Sequence, residues 1–236
     1  MTGVLYLVPN ALGDAAALAG VLPEPVRALA ARLTYYVGEN AKSTRAFLKK
    51  TGGTLPIQDI EIRELNVNTP ASAIDALLAP IIAGRDGGLL SEAGCPAVAD
   101  PGALLVRRAH ERGIRVVPLV GPSSILLALM GSGLNGQSFA FHGYLPVDAA
   151  QRTKKLRELE QQSCRARQTQ IFIETPYRNR ALLDALAGAC APDTLVCVAV
   201  DLTLPDEQIV TRPVSAWRKE PIELHKRPAI FLMLAS

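Results

Sequence analysis

The chain of 236 residues has few of the features that would staple, anchor or strongly charge a protein. Its four cysteines, Cys95, Cys164, Cys190 and Cys197, form no C-x-x-C pair. Its three histidines, His110, His142 and His225, have no zinc-ligand spacing. These absences argue against a disulfide framework or a structural metal, and the expected setting is reducing and cytoplasmic. Long apolar runs are missing too: Pro122, Ser123, Gly131 and Gly133 interrupt the richest stretch, so no segment reaches the roughly 18 apolar residues of a membrane span. The apolar stretch 4–8 is too short for a signal h-region and has no basic segment before it. Aromatic residues make up 5%, with one tryptophan (Trp217), which weakens the case for a single-strand stacking platform. A net charge of +3 permits an anionic partner without demanding one.

What is present reads as an ordinary globular chain: 49% apolar, 18 glycines and 17 prolines, long enough for one large or two small domains. Strand-like runs at 4–8, 33–37, 89–91 and 114–119 alternate with helical stretches at 15–33, 42–50, 72–83 and 103–112, which predicts a mostly parallel sheet with helices on both faces. An apolar helix at 125–130 precedes GSGLNGQS, and a boundary near Gly136 divides the chain into domains 1–136 and 137–236. The second part carries strands at 139–143, 169–174, 195–200, 208–212 and 229–234, with helices at 152–160 and 178–187. Its consecutive strands predict a mixed sheet, so the fold class is α/β with two α/β domains.

Ligands of open α/β sheets bind beyond the carboxyl ends of the strands, where three loops qualify: 9–14, 91–102 and 121–124. The first lacks G-x-G-x-x-G and a P-loop lysine, so the usual nucleotide fingerprints are absent. The second, SEAGCPAVADPG, holds two glycines, two prolines and two acids, a composition that lets backbone approach a ligand closely. Glu92 and Asp100 are possible paired acids, although Asp100 before Pro101 reads better as a helix cap. In the third, Ser123 and Ser124 open a helix where hydroxyl and N–H groups can hold a carboxylate or sugar hydroxyl, or cap the helix.

Together these loops resemble the S-adenosylmethionine-dependent tetrapyrrole methylase superfamily, and within it the branch of 16S ribosomal RNA (cytidine 2'-O)-methyltransferases. LYLVPNALGD is similar to that branch's opening strand and loop, LSEAGCPAVADPG to its S-D-A-G-x-P-x-I-x-D-P-G, and VVPLVGPSS to its V-x-P-x-P-G-x-S/C. FHGYLP resembles F-x-G-F-L-P, IFIETPYR resembles F-x-E-S-P-H-R, and KRPAIFLML takes the place of K-G-E-x-V-L. The order is kept from Leu5 to Leu234. The resemblance implies a homodimer of two-domain subunits with S-adenosylmethionine in the cleft between the domains and S-adenosylhomocysteine as product. It implies cofactor contacts from Pro9, Gly13, Ser91, Glu92, Ala93, Gly94, Ser123 and Ser124. It also implies an adenine wall from Tyr144, Leu145, Ala199, Leu202, Pro228 and Ala229, positions that core packing would equally explain. No metal is implied.

A ribose hydroxyl is a poor nucleophile, and Glu39, Glu92 and Glu174 are the candidate bases. Lys42 and Arg178 match basic positions of the RNA branch and are candidate phosphate contacts. Departures from the pattern lie on the substrate side. Lys42 and Ser43 replace an arginine and a histidine, residues around 63–68 replace an H-x-H-N segment, and Val200-Asp201-Leu202-Thr203-Leu204 replaces R-E-L-T-K. Tyr177 replaces a histidine, and Arg227-Pro228 replaces G-E. Residues 151–167 nevertheless hold six Lys/Arg against two Glu, a local excess suited to RNA. The expected function is methylation of a ribose 2'-hydroxyl of ribosomal RNA, with the small ribosomal subunit as partner and no membrane. The same fold acting on a small tetrapyrrole-like molecule, or binding S-adenosylmethionine without catalysis, is the alternative.

Overall fold

The computed structural model describes residues 2–219 and 222–236. The chain divides into two compact units, Met1–Ser123 and Ser124–Ser236.

The first unit runs β1 (Val4–Val8), α1 (Leu18–Val21), α2 (Glu24–Arg32), β2 (Tyr35–Gly38), α3 (Ala41–Lys50), β3 (Glu61–Glu64), α4 (Ile74–Ile82), β4 (Gly87–Leu90), α5 (Gly102–Glu111) and β5 (Arg115–Pro118). Its five strands are all parallel, in the order β3-β2-β4-β1-β5. Successive residues of a strand face opposite sides. Tyr35 and Leu89 therefore join a core with α4 and α5, while Tyr36 and Leu90 join one with α1, α2 and α3. Both tyrosine hydroxyls are satisfied, donating to Leu77 O and Ala30 O at 2.6 Å. Burial pushes the Tyr35 phenol up to about 12 and the Tyr36 phenol higher still. The neighbouring strand makes room for the rings. A Cβ on Gly87 would stand 2.8 Å from the Tyr35 ring, and one on Gly88 2.5 Å from the Tyr36 ring.

Two readings of this unit are corrected. The helical stretch 15–33 is two helices, because the segment Leu22-Pro23 breaks the backbone ladder between α1 and α2. The strand Glu61–Glu64 was not legible: three of its four residues are charged, as suits an edge strand, and Glu61 pairs with Arg63 and Arg85 at 2.7 Å.

The second unit runs α6 (Ser124–Ser132), β6 (Phe139–Tyr144), α7 (Ala149–Ala166), β7 (Thr169–Ile173), α8 (Asn179–Ala189), β8 (Leu195–Val200), β9 (Gln208–Pro213), α9 (Val214–Trp217) and β10 (Ala229–Leu234). Its sheet is mixed, in the order β6-β7-β10-β8-β9: β6 and β7 are parallel, and the other pairings are antiparallel. Leucines of α7 and α8 pack on Phe172, Val198 and Phe231. Helix α6 packs against β8, β9 and β10, so the segment GSGLNGQS lies inside the second unit and the division falls at Ser123 instead. Helix α7 is twice the length read from sequence. Asp148 caps it by accepting from Gln151 N at 2.9 Å, and Arg167 ends it in a left-handed conformation.

Candidate active site

Because every strand of the first sheet is parallel, the segments that follow β1, β2, β4 and β5 all leave from one edge. The loop after β1 is tied to the loop after β4. Asn10 N donates to Gly94 O at 2.9 Å, Gly94 N to Asn10 O at 3.2 Å, and Asn10 Nδ2 to Ser91 O and Glu92 O at 3.2 and 3.0 Å. Gly94 sits at φ +67°, a left-handed conformation that a branched residue resists, and a Cβ there would be 3.2 Å from Leu12 Cδ2. Ala97 and Ala99 also have positive φ, 66° and 60°, so the same loop stores backbone strain at two residues with side chains. Asp100 holds it in place by accepting from Ala97 N at 3.0 Å and Gly102 N at 2.7 Å, which is the capping role expected of it. Burial raises the Asp100 carboxyl above its ordinary range, against the pull of those N–H groups.

Between the β1 loop and α3 lies a cleft of about 470 Å³. Of the residues expected at the site, Gly13, Glu92, Ala93 and Lys42 line it together. Asn10, Asp14, Asn40, Ser43 and Lys50 join them. Asn40 caps α3, accepting from Lys42 N at 2.8 Å, so the first turn of the helix is fixed beside the cleft. Ser43 Oγ lies 2.5 Å from Glu92 Oε1. Glu39 stands behind, accepting from Glu92 N at 3.3 Å. Burial raises the Glu39 carboxyl, the Glu92 N–H opposes this, and the charges of Asp100 and Glu92 add to the rise. The arrangement offers hydroxyl, carboxylate and ammonium groups within a concave, partly apolar space, which suits a polar small molecule or a nucleotide.

The other expected residues fall elsewhere. Pro9 is buried, and Gly121 packs so closely on it that a Cβ there would stand 2.3 Å from the proline ring. The Ser91 hydroxyl is turned into its own loop, toward Ala93 O and Gly94 O at 3.1 and 3.2 Å. Ser123 and Ser124 are half-buried, Ser124 being the first residue of α6. In the second unit Leu145, Ala199 and Leu202 are buried, Ala229 packs against the core, and Tyr144 and Pro228 are exposed. Glu174 is not near the cleft residues in sequence or unit. Its side chain is wholly buried and accepts from Arg178 Nε and Nη2 at 3.0 and 2.6 Å. Two of the departures noted in sequence meet each other: Arg227 pairs with Asp201 at 2.7 Å, and Asp201 N donates to Pro228 O at 3.0 Å.

Asn10, Asn40 and Lys50 were not singled out from sequence. Asn40 had a legible signal as a cap residue ahead of a helical run, and Asn10 follows a proline at a strand end; Lys50 needed the fold. Among the described residues no three His, Cys, Asp or Glu side chains gather as a metal site, and no helix is long and apolar enough to cross a membrane.

Residues 14–216 match the family model described as Tetrapyrrole (Corrin/Porphyrin) Methylases. The chain is 30% identical over 234 residues to the ribosomal RNA small subunit methyltransferase I of Escherichia coli O157:H7, covering 98% of this chain and 77% of that one. It is 34% identical over 212 residues to the protein of the same name from Mesorhizobium japonicum, covering 90% and 68%. Among solved structures, the methyltransferase CobJ superposes with a TM-score of 0.65 at 18% identity, covering 100% of this chain and 95% of that one. A cobalt precorrin-4 methyltransferase superposes at 0.60 and 16%, covering 98% and 94%. The last two likenesses show the fold, and the family match with the relatives at 30% identity or more shows the membership: the chain belongs to the tetrapyrrole methylases, a methyltransferase family.

Proposed function

We propose that the chain transfers a methyl group from S-adenosylmethionine to a ribose 2'-hydroxyl of small-subunit ribosomal RNA. The observation that carries the reading is the match along 98% of the chain to a relative named for that RNA, with Gly13, Glu92, Ala93 and Lys42 lining one cleft. The six basic residues of the stretch 151–167, on α7 and the residue after it, give the second unit an electrostatic footprint for the same substrate. The homodimer and the cytoplasmic setting belong to this reading through the family resemblance.

The residues present fit the methyl donor. When bound it supplies a methyl group on a sulfonium, a permanent cation without phosphates, and so needs oxygens rather than a basic cradle. Burial chiefly raises Glu39, and the charges of Asp100 and Glu92 add to the rise. Asp14 and Glu92 put carboxylates in the cleft, beside Lys42 and Lys50. Gly13, Ala93 and Gly94 bring backbone close, and Pro9, Ser91, Ser123 and Ser124 shape the loops around it. On the acceptor side, Lys42 offers an ammonium to a phosphate, and Glu92 faces the cleft as the base that can take the hydroxyl proton. Glu39 holds Glu92 through its backbone N–H. Alignment of acceptor and donor supplies much of the remaining rate, because displacement at carbon is sensitive to geometry.

The test is transfer of label from methyl-labelled S-adenosylmethionine to ribosomal subunits, free RNA and small-molecule extract, all from cells lacking the protein. Ribonuclease-sensitive label in small-subunit RNA is the expected result. Label confined to small molecules, or cofactor binding without turnover, overturns the RNA reading. Gly94→Val and Ser124→Ala should each weaken cofactor binding, and unchanged affinity in both removes the assigned pocket.

A further inference from the structure

We infer that Tyr177 and Arg178 form a two-point grip for one nucleotide of a single-stranded RNA segment, the base stacking on Tyr177 and the adjacent phosphate resting on Arg178. Glu174 is the positioning residue beneath them. The inference rests on the RNA reading above.

The grip follows from the one parallel pair in the second sheet. Tyr144 pairs with Ile173 beyond a register shift that follows Phe141, so β6 and β7 end at the same edge. The chain beyond β7 is Glu174-Thr175-Pro176-Tyr177-Arg178, closed by Arg178 N donating to Thr175 O at 2.9 Å. Tyr35 and Tyr36 are wholly buried and Tyr6 is half-buried. The two exposed tyrosines, Tyr144 at 60% and Tyr177 at 77%, both lie at this edge. An exposed tyrosine alone is unremarkable for a protein surface. Its neighbour is not.

The Arg178 guanidinium is held on one edge by Glu174 Oε1, which also accepts from Thr175 N at 2.7 Å. The Glu174 side chain has no exposed surface, and its second oxygen, Oε2, has no hydrogen-bond partner. Burying a carboxylate with one oxygen unsatisfied costs stability, and a surface arginine needs no such holder to remain soluble. What the arrangement achieves is to hold the guanidinium through Nε and Nη2, leaving Nη1 outside those two bonds, on a side chain that keeps 32% of its surface exposed. A fixed guanidinium edge is the geometry that recognises phosphate oxygens, and an exposed ring beside it accepts any base by stacking. Helix α7, which follows β6, exposes Lys154 and Arg157 and adds attraction for the same polyanion.

The test is anisotropy titration of a fluorescein-labelled single-stranded oligocytidylate at several salt concentrations, with thermal melting as the control for folding. Tyr177→Ala should weaken binding about tenfold without changing the salt slope, and Tyr177→Phe should retain it. Arg178→Gln should weaken binding and lower the salt slope by about one. Glu174→Gln should raise the KM for RNA more than it lowers kcat. If the unaltered protein binds and methylates RNA while Tyr177→Ala binds equally well at every salt concentration, the grip is wrong and the RNA reading stands. If the unaltered protein neither binds the oligonucleotide nor methylates ribosomal RNA, both fall together.

Discussion

The two sheets use carboxylates in opposite ways, and the difference follows from how their strands end. In the first, five parallel strands put all their carboxyl ends on one edge, and the loops there gather Glu39, Glu92 and Asp100, whose partners are backbone N–H groups and the Ser43 hydroxyl. In the second, antiparallel pairing leaves one parallel pair, and the carboxylate after it, Glu174, is buried against Arg178. The first edge collects negative charge beside a cleft; the second neutralises its carboxylate and presents the positive partner. The first cleft thus sets the carboxylates of Asp14 and Glu92 beside the ammonium groups of Lys42 and Lys50, while the second edge holds its arginine on its own carboxylate.

The sharpest way to break this comparison is to disturb the packing beneath each sheet. Gly88→Val drives a side chain into the Tyr36 ring, which is fixed between β2 and α2, and should cost about 3 kcal/mol in urea unfolding. Gly131→Ala in the second unit meets the Ile209 side chain, Cδ1 at 2.5 Å and Cγ2 at 3.3 Å, and should cost about 1 kcal/mol, because an aliphatic side chain gives way more readily than a hydrogen-bonded ring. Equal costs would mean that the two cores are equally yielding. The carboxylates are separated by kinetics. Glu92→Gln should lower kcat about a hundredfold if it takes the acceptor proton. Glu174→Gln should act chiefly on the KM for RNA, and the reverse pattern would exchange their roles.

The smallest expected effect is on the pH dependence of stability. Glu39 titrates above its ordinary range, so the folded state holds that proton more tightly than the unfolded chain does. Its favourable contribution is complete in acid, below the ordinary carboxylate range, and is lost as pH rises through the raised value. Glu39→Gln should therefore raise the melting temperature near neutrality and change it little in mild acid. A gain that is the same at both would place the effect outside Glu39 ionisation.

Much of this fold was legible because its strands are short apolar runs with clear ends: Val4–Val8 between Gly3 and Pro9, Leu195–Val200 between Thr194 and Asp201, and Ala229–Leu234 after Pro228 lie where the pattern puts them. The charged edge strand Glu61–Glu64 was not, since its pairing with β2 rather than its own composition makes it a strand. The division of the chain was misplaced for a similar reason. The glycines of GSGLNGQS mark a turn, and only the packing of α6 shows to which sheet it belongs.

The sequence by itself determined the α/β alternation, the loops at strand ends and the family, because each is written in local order: alternation of apolar residues, turn residues at fixed offsets, and motifs in unbroken succession. Tertiary structure decided which polar groups meet. Asn10 reaches Gly94 across 84 positions, Ser43 reaches Glu92 across 49, and Arg227 reaches Asp201 across 26. No spacing rule foretells such pairs, since they depend on strand order, and strand order is set by which faces of the helices can be buried together.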